Sequence, residues 1–184
     1  MAYRDYEEFS AALNVHGVRY LVVGAHAVAF HARPRATKDL DVLIEPTAAN
    51  ARKVIVALRD FFDGVDLGYS EHDLTDPRWI IQLGVAPVRI DLMSEIPGFE
   101  SFETAWRNRV DATFGSVPAH YIGLDELIAA KGAVRRPQDR ADLRILERAK
   151  GGTRLTHSGL EGPSEPRRRR KRRGARASAA PKRG

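Results

Sequence analysis

Asp39 and Asp41 stand two residues apart at the head of an apolar run, Leu40 to Ile44, that reads as a β-strand. Residues i and i+2 of a strand face the same way, so the two carboxylates lie side by side and repel each other. A magnesium ion relieves that repulsion with hard oxygen ligands and binds substrate phosphates in turn. The alternative is a pair of solvated acids at an exposed strand end. Asp91 shifts the balance toward the metal, because it interrupts the apolar run from Val88 to Met93. Val88, Ile90 and Leu92 take one face of that strand, and Arg89, Asp91 and Met93 take the other. If the two strands are neighbours, three carboxylates converge, enough for two magnesium ions that activate an attacking hydroxyl and stabilise a leaving pyrophosphate. The competing expectation is an ion pair of Asp91 with Arg89 or Arg109.

Gly24 is either a tight turn or, beside the downstream carboxylates, a phosphate-binding position. It follows the apolar strand Val18 to Val23 and opens a short helix, where backbone N–H groups and the helix dipole favour an anion and glycine permits close approach. Other chemistries find little support. His26 and His31 are five apart, outside the usual zinc spacings, and the chain has no His-Glu-x-x-His. Gly-x-Ser-x-Gly, Gly-x-Gly-x-x-Gly and Gly-Lys-Ser/Thr are also missing. With no cysteine, thiolate catalysis and disulfides are excluded, and a reducing compartment is permitted.

The elements that must position these residues alternate. Helical spacing covers Tyr6 to Leu13, then strand Val18 to Val23, helix Ala25 to about Ala32 closed by Pro34, and strand Leu40 to Ile44. Thr47 caps a helix running to Phe61. Trp79 to Leu83 and Val88 to Met93 form a hairpin, Phe102 to Arg107 a helix, and Val110 to Phe114 and Val117 to Tyr121 a second hairpin. Helices at Leu124 to Lys131 and Gln138 to Ala149 finish the order. The expected class is α/β with a mixed, partly antiparallel sheet flanked by helices, in one domain over residues 1–150.

The formal net charge of +6 is unevenly placed. Residues 151–184 hold eleven Lys or Arg against Glu161 and Glu165, a formal +9, which leaves −3 for residues 1–150. That segment is rich in Gly, Pro, Ser and Arg and nearly free of apolar side chains, so it is expected to be a disordered tail. Its run Arg167 to Arg173 would attract a phosphate backbone, or serve only for solubility. The acidic start (Asp5, Glu7, Glu8) is unlike a secretory signal, and the weakly polar stretch Leu21 to Ala32 is too short for a membrane span; a cytoplasmic location is expected.

The segment VVGAHAVAFHARPRATKDLDVLIEP resembles the opening motif of the DNA polymerase beta-like nucleotidyltransferase superfamily, a glycine pair followed by Asp-x-Asp. Here Gly24 and Ala25 precede Asp39-Leu40-Asp41, and IQLGVAPVRIDLMSEIPGFESFETAW supplies Asp91 as the third acid. Within the superfamily the chain is most similar to small bacterial proteins related to the AbiEii and MenT toxins of toxin-antitoxin systems, including the segment DELIAAKGAVRRPQDRADLRIL. The likeness spans roughly Val18 to Leu146.

The resemblance implies transfer of a nucleoside monophosphate from an NTP to a hydroxyl on RNA, tRNA or protein, with two Mg2+ ions (or Mn2+) on Asp39, Asp41 and Asp91. It further implies nucleotide contacts at Gly24, Ala25, Arg35, Lys38 and Lys131, with Asp142 in the nucleotide-binding set to orient or bind nearby, Arg135 and Arg136 at the rim and an antitoxin protein as partner. Ala25 departs from the usual glycine or serine, and Val134 and Arg135 from a small residue and glycine. A non-catalytic domain that binds nucleotide or nucleic acid is the second reading.

Overall fold

The structure, a computed structural model, describes residues 4–33, 37, 39–85, 88–98, 100–134 and 136–158. Six strands form one mixed sheet: β1 (Tyr20–Val22), β2 (Asp39–Ile44), β3 (Ile80–Val85), β4 (Val88–Met93), β5 (Val110–Phe114) and β6 (Val117–Tyr121), in the spatial order β3-β4-β2-β1-β6-β5. The two hairpins, β3–β4 and β5–β6, are antiparallel and lie at opposite ends of the sheet. Between them β1 pairs antiparallel with β2 and parallel with β6, and β2 pairs parallel with β4. That last pairing is non-local, and it sets Asp41 directly across from Asp91.

Seven helices complete the described residues: α1 (Arg4–Val15), α2 (Gly24–His31), α3 (Ala48–Phe61), α4 (Glu71–Thr75), α5 (Phe102–Arg107), α6 (Leu124–Ala133) and α7 (Pro137–Ser158). The amphipathic α3 begins where Thr47 accepts the Asn50 N–H and buries Ala51, Val54, Ala57 and Leu58. It packs on α1, whose Tyr6, Phe9 and Leu13 enter the core with Tyr20, Leu21, Leu40 and Leu43 of the central strands. Helices α2, α6 and α7 pack on one another. Among the described residues no helix is long and apolar enough to cross a membrane.

The expected mixed α/β class is the observed one, and most elements lie within two or three residues of their expected limits. Three differences have physical causes. Strand β1 starts at Tyr20, two residues after Val18, because the Arg19 N–H donates to Asn50 Oδ1 at 2.9 Å instead of returning a ladder bond to β2. Helix α4 was not expected, although Ser70 and Asp73 form a reciprocal capping box that the sequence carries. Helix α7 continues past Ala149 through Gly151 and Gly152 to Ser158, so the first residues assigned to the tail extend the last helix. Pro34 and residues 159–184, including the arginine run, lie outside the described residues.

His26 of α2 is held edge-on between the rings of Tyr6 and Phe114, at 5.7 and 5.0 Å between centroids. Its Nε2 is buried without a hydrogen-bond partner among the described residues, and burial pushes its pKa down to about 4. The unfolded chain takes up that proton near pH 6.5, the folded chain only near 4. Its contribution to stability is therefore complete above pH 6.5 and is lost as pH falls toward 4. A His26→Phe variant should show a shallower decline in melting temperature over that interval than the parent chain, measured by calorimetry; identical slopes would remove His26 from the acid response.

Candidate active site

The site is built on the face shared by Asp39, Asp41 and Asp91. Register pairs Asp39 with Arg89 and Asp41 with Asp91, so two acids and a guanidinium meet across one strand boundary and a third acid lies two residues along. Arg89 uses this position fully. Its Nη2 donates to Asp39 Oδ2 at 3.0 Å and to Asp91 Oδ2 at 3.1 Å, and its Nε lies 3.0 Å from Asp91 Oδ1. The last contact is an ion pair without hydrogen-bond geometry: both buried atoms lack a hydrogen bond. The expected alternative pairing of Asp91 with Arg89 is thus present, and among the described residues the acids do not form a group of three that could hold a metal ion as they stand. Arg109 is elsewhere, with its guanidinium on Asp111 and over Trp106.

Asp41 lies against the start of α2. Gly24 has φ +58°, and a Cβ built there would come within 1.9 Å of Asp41 Oδ2, so only glycine allows the carboxylate and the helix N-terminus this proximity. The Ala25 backbone N–H donates to the Asp41 carboxylate, one of the orphan donors of a helix start. Burial nevertheless raises the pKa of Asp41, with the charge of Asp91 adding to the effect and Ala25 and Lys131 opposing it. Asp91 is also raised, by burial first, with Arg89 pulling it down. Two crowded carboxylates with raised pKa values are groups whose environment has not fully neutralised them.

These residues open on a cleft of about 410 Å3. Its floor holds Gly24, Asp41, Arg89 and Asp91, and its walls come from Ile80, Met93 and Ile96 on one side and Leu127, Lys131 and Arg136 on the other. The Ile96 wall is fixed by Gly98, whose φ of +84° packs the chain so tightly on α6 that a Cβ would meet the Ala129 carbonyl at 2.4 Å. The amine of Lys131 is held by Asp139 at 2.7 Å and Asp142 at 3.1 Å.

The structure therefore brings together Asp39, Asp41, Asp91, Gly24, Ala25, Lys131 and Arg136. Asp142 does not line the cleft: the residue is 1% exposed and pairs with Lys131, a position from which it can orient the ammonium. Arg35, Lys38 and Arg135 lie outside the described residues. Asp139 lines the cleft and escaped the sequence reading, although Asp139 and Asp142 at i and i+3 of a helix share a face.

Gly24→Ala would force a side chain into left-handed backbone, costing about 1–2 kcal/mol, before the collision with Asp41 is counted. With about 2–4 °C per kcal/mol for a chain of this size, the melting temperature should fall by several degrees and catalysis with it. A variant as stable and active as the parent would show that Asp41 does not need this contact.

Two solved structures are similar in outline. The antibiotic-resistance factor ANT(2'')-Ia superposes with a TM-score of 0.47 at 11% identity, over 85% of this chain and 93% of that one. An antigenic nucleotidyltransferase-like protein from Paracoccidioides brasiliensis gives 0.46 at 12%, over 84% and 90%. A search of curated protein sequences finds no match. The family described as "Nucleotidyl transferase of unknown function (DUF2204)" matches residues 2–159, which include every described residue of the cleft, and the chain belongs to that nucleotidyltransferase family.

Proposed function

We propose that the chain transfers a nucleoside monophosphate from a nucleoside triphosphate to a hydroxyl acceptor, using magnesium held by Asp39, Asp41 and Asp91. The observation that carries this reading is the parallel β2–β4 register, which aligns Asp41 with Asp91 at the floor of a cleft walled by Lys131. Three hard oxygen donors, one of them a buried Asp91 oxygen without a hydrogen bond, suit a divalent cation. Among the described residues no three acidic or histidine side chains already stand at cation-binding spacing, and Arg89 lies between Asp39 and Asp91, so the guanidinium would have to give way. When bound, such ions neutralise the clustered carboxylates and draw charge from the phosphates.

The remaining work falls to the chain. The acceptor oxygen forms a bond to the α-phosphorus as the bond from that phosphorus to the β-phosphate oxygen breaks, and pyrophosphate leaves. The acceptor proton passes to Asp91, whose raised pKa suits a carboxylate acting as base. Lys131 offers its ammonium to the phosphates, with Asp139 and Asp142 fixing its direction. Gly24 presents its backbone N–H at the α2 terminus while that of Ala25 holds Asp41, Arg136 flanks the cleft, and Arg35 and Lys38 precede the acids to meet the triphosphate. Catalysis is then mainly positioning and charge stabilisation.

RNA, tRNA included, is the favoured acceptor on charge, since the arginine-rich segment would hold a phosphate backbone beside the acidic domain. A toxin role with an antitoxin partner, and a cytoplasmic setting, accompany that reading. The test is incubation with magnesium, each α-labelled NTP in turn and total RNA, beside an Asp39→Ala/Asp41→Ala control. Label transferred by the parent chain alone supports the proposal and names the nucleotide. Magnesium-dependent NTP binding with no label on RNA or protein would favour the non-catalytic reading.

A further inference from the structure

Arginine recurs at every fourth position from the mouth of the cleft along α7, at Arg136, Arg140, Arg144 and Arg148. Arg136 lines the cleft, and its carbonyl accepts the Arg140 N–H at 3.2 Å, so it stands where the helix begins. At about 1.5 Å of rise per residue, the four lie about 6 Å apart along the axis, each turned about 40° from the last, in a row about 18 Å long. All four are exposed, and none forms an ion pair or a side-chain hydrogen bond among the described residues. Glu147 is exposed beside the row and pairs with none of them. The rest of α7 is committed to the domain: Leu146 is buried, Asp142 pairs with Lys131, and Lys150 pairs with Asp125 of α6.

This placement is unfavourable for the chain alone. Like charges four apart on a helix repel, and cations near a helix N-terminus oppose its dipole. Nor does the row follow from composition, since residues 1–150 carry a formal −3. A partner with regularly repeated negative charge relieves both effects. The spacing of the row is close to that between successive phosphates of one nucleic-acid strand, and the planar fork of arginine matches phosphate oxygens. We propose that the exposed side of α7 is a docking track for an RNA strand, held through its phosphates by Arg140, Arg144 and Arg148 and led past Arg136 to the cleft. The choice of RNA rests on the acceptor favoured above; the track itself rests on the row of unpaired arginines and its continuity with the cleft.

The test measures binding of a fluorescently labelled oligouridylate to the full chain by anisotropy, without magnesium or nucleotide, across a salt series. Arg140→Gln/Arg144→Gln/Arg148→Gln should weaken binding at least about tenfold and flatten the dependence of log K on log salt by about 2, at about 0.7 for each phosphate contact on a single strand. Its melting temperature should stay level or rise, because the repulsive pairs along α7 are gone. Arg4→Gln/Arg59→Gln/Arg107→Gln removes the same charge from other elements, where those arginines lie beside Glu8, Asp66 and Glu103, and should leave affinity and slope nearly unchanged. An equal loss in both triple variants would reduce the effect to net charge. An unchanged slope in the α7 variant would assign RNA binding to the arginine-rich segment, and polyglutamate bound as tightly as the oligouridylate would make the partner an acidic protein; each of these three results overturns the proposal. None of the measurements needs turnover, so a chain that binds RNA through α7 but transfers no label would keep the track and remove only the nucleotidyl-transfer reading.

Discussion

Asp41→Asn should lose nucleotidyl transfer by on the order of a thousandfold while the fold remains at least as stable as before. The loss follows from removing one of the charges that the proposed reaction uses where phosphate charge develops, an effect for which single electrostatic contacts supply about 10²–10³ in rate. The stability follows from the direction of the pKa shift. Burial and Asp91 raise the pKa of Asp41, so the folded chain binds that proton more tightly than the unfolded chain does. Its contribution therefore weakens as pH rises through and above the ordinary carboxylate range. Asparagine is isosteric, can still accept from the Ala25 N–H, and has no charge to oppose Asp91. Calorimetry should find the variant's melting temperature level with the parent's near pH 4 and above it at pH 8, and a labelled-nucleotide assay should find it inactive. A variant that transfers at the parent rate would remove Asp41 from the reaction; one that melts lower at pH 8 would show that its carboxylate stabilises the fold.

What could be read from the sequence follows from the range of each interaction. Strand and helix limits near Thr47, Phe102 and Val117 rest on caps, turns and periodicity within a few residues, and they appear where local rules put them. The common face of Asp39 and Asp41 is equally local, since it needs only the pleat. That Asp91 joins them depends on β2 and β4 pairing in parallel across about fifty intervening residues, which the pattern of Asp91 in an apolar strand suggests and only tertiary structure can place. Asp142 shows the opposite limit. Its match to a family segment puts it at the site, but its burial and its pairing with Lys131 depend on how α6 packs on α7, and no spacing in the chain encodes that.

Arg89 is the residue on which the metal-free and metal-bound forms should differ most. Arg89→Met removes the guanidinium that joins Asp39 to Asp91 and leaves three neighbouring acids to repel one another. Breaking a fully buried pair costs about 3–5 kcal/mol, but with the Arg89 side chain 37% exposed, solvent screening reduces that to about 1–3 kcal/mol. In chelator the variant should melt several degrees below the parent chain, at about 2–4 °C per kcal/mol. The Tyr6 hydroxyl bond to the Arg89 carbonyl uses the backbone and survives the substitution, so the strand itself keeps its support. Added magnesium should then act unequally. In the parent chain the ion must displace a resident cation before it gains the carboxylates, whereas in the variant the acids are already free, so the stabilisation RT ln(1 + [Mg]/Kd) begins at lower concentration and closes the gap. Arg89→Lys, which keeps one charge but cannot span both acids, should fall between the two. Melting curves across a magnesium titration distinguish the outcomes directly. A variant whose chelator melting temperature matches the parent's, with the same magnesium response, would mean that Arg89 neither neutralises the acids nor competes with a cation for them.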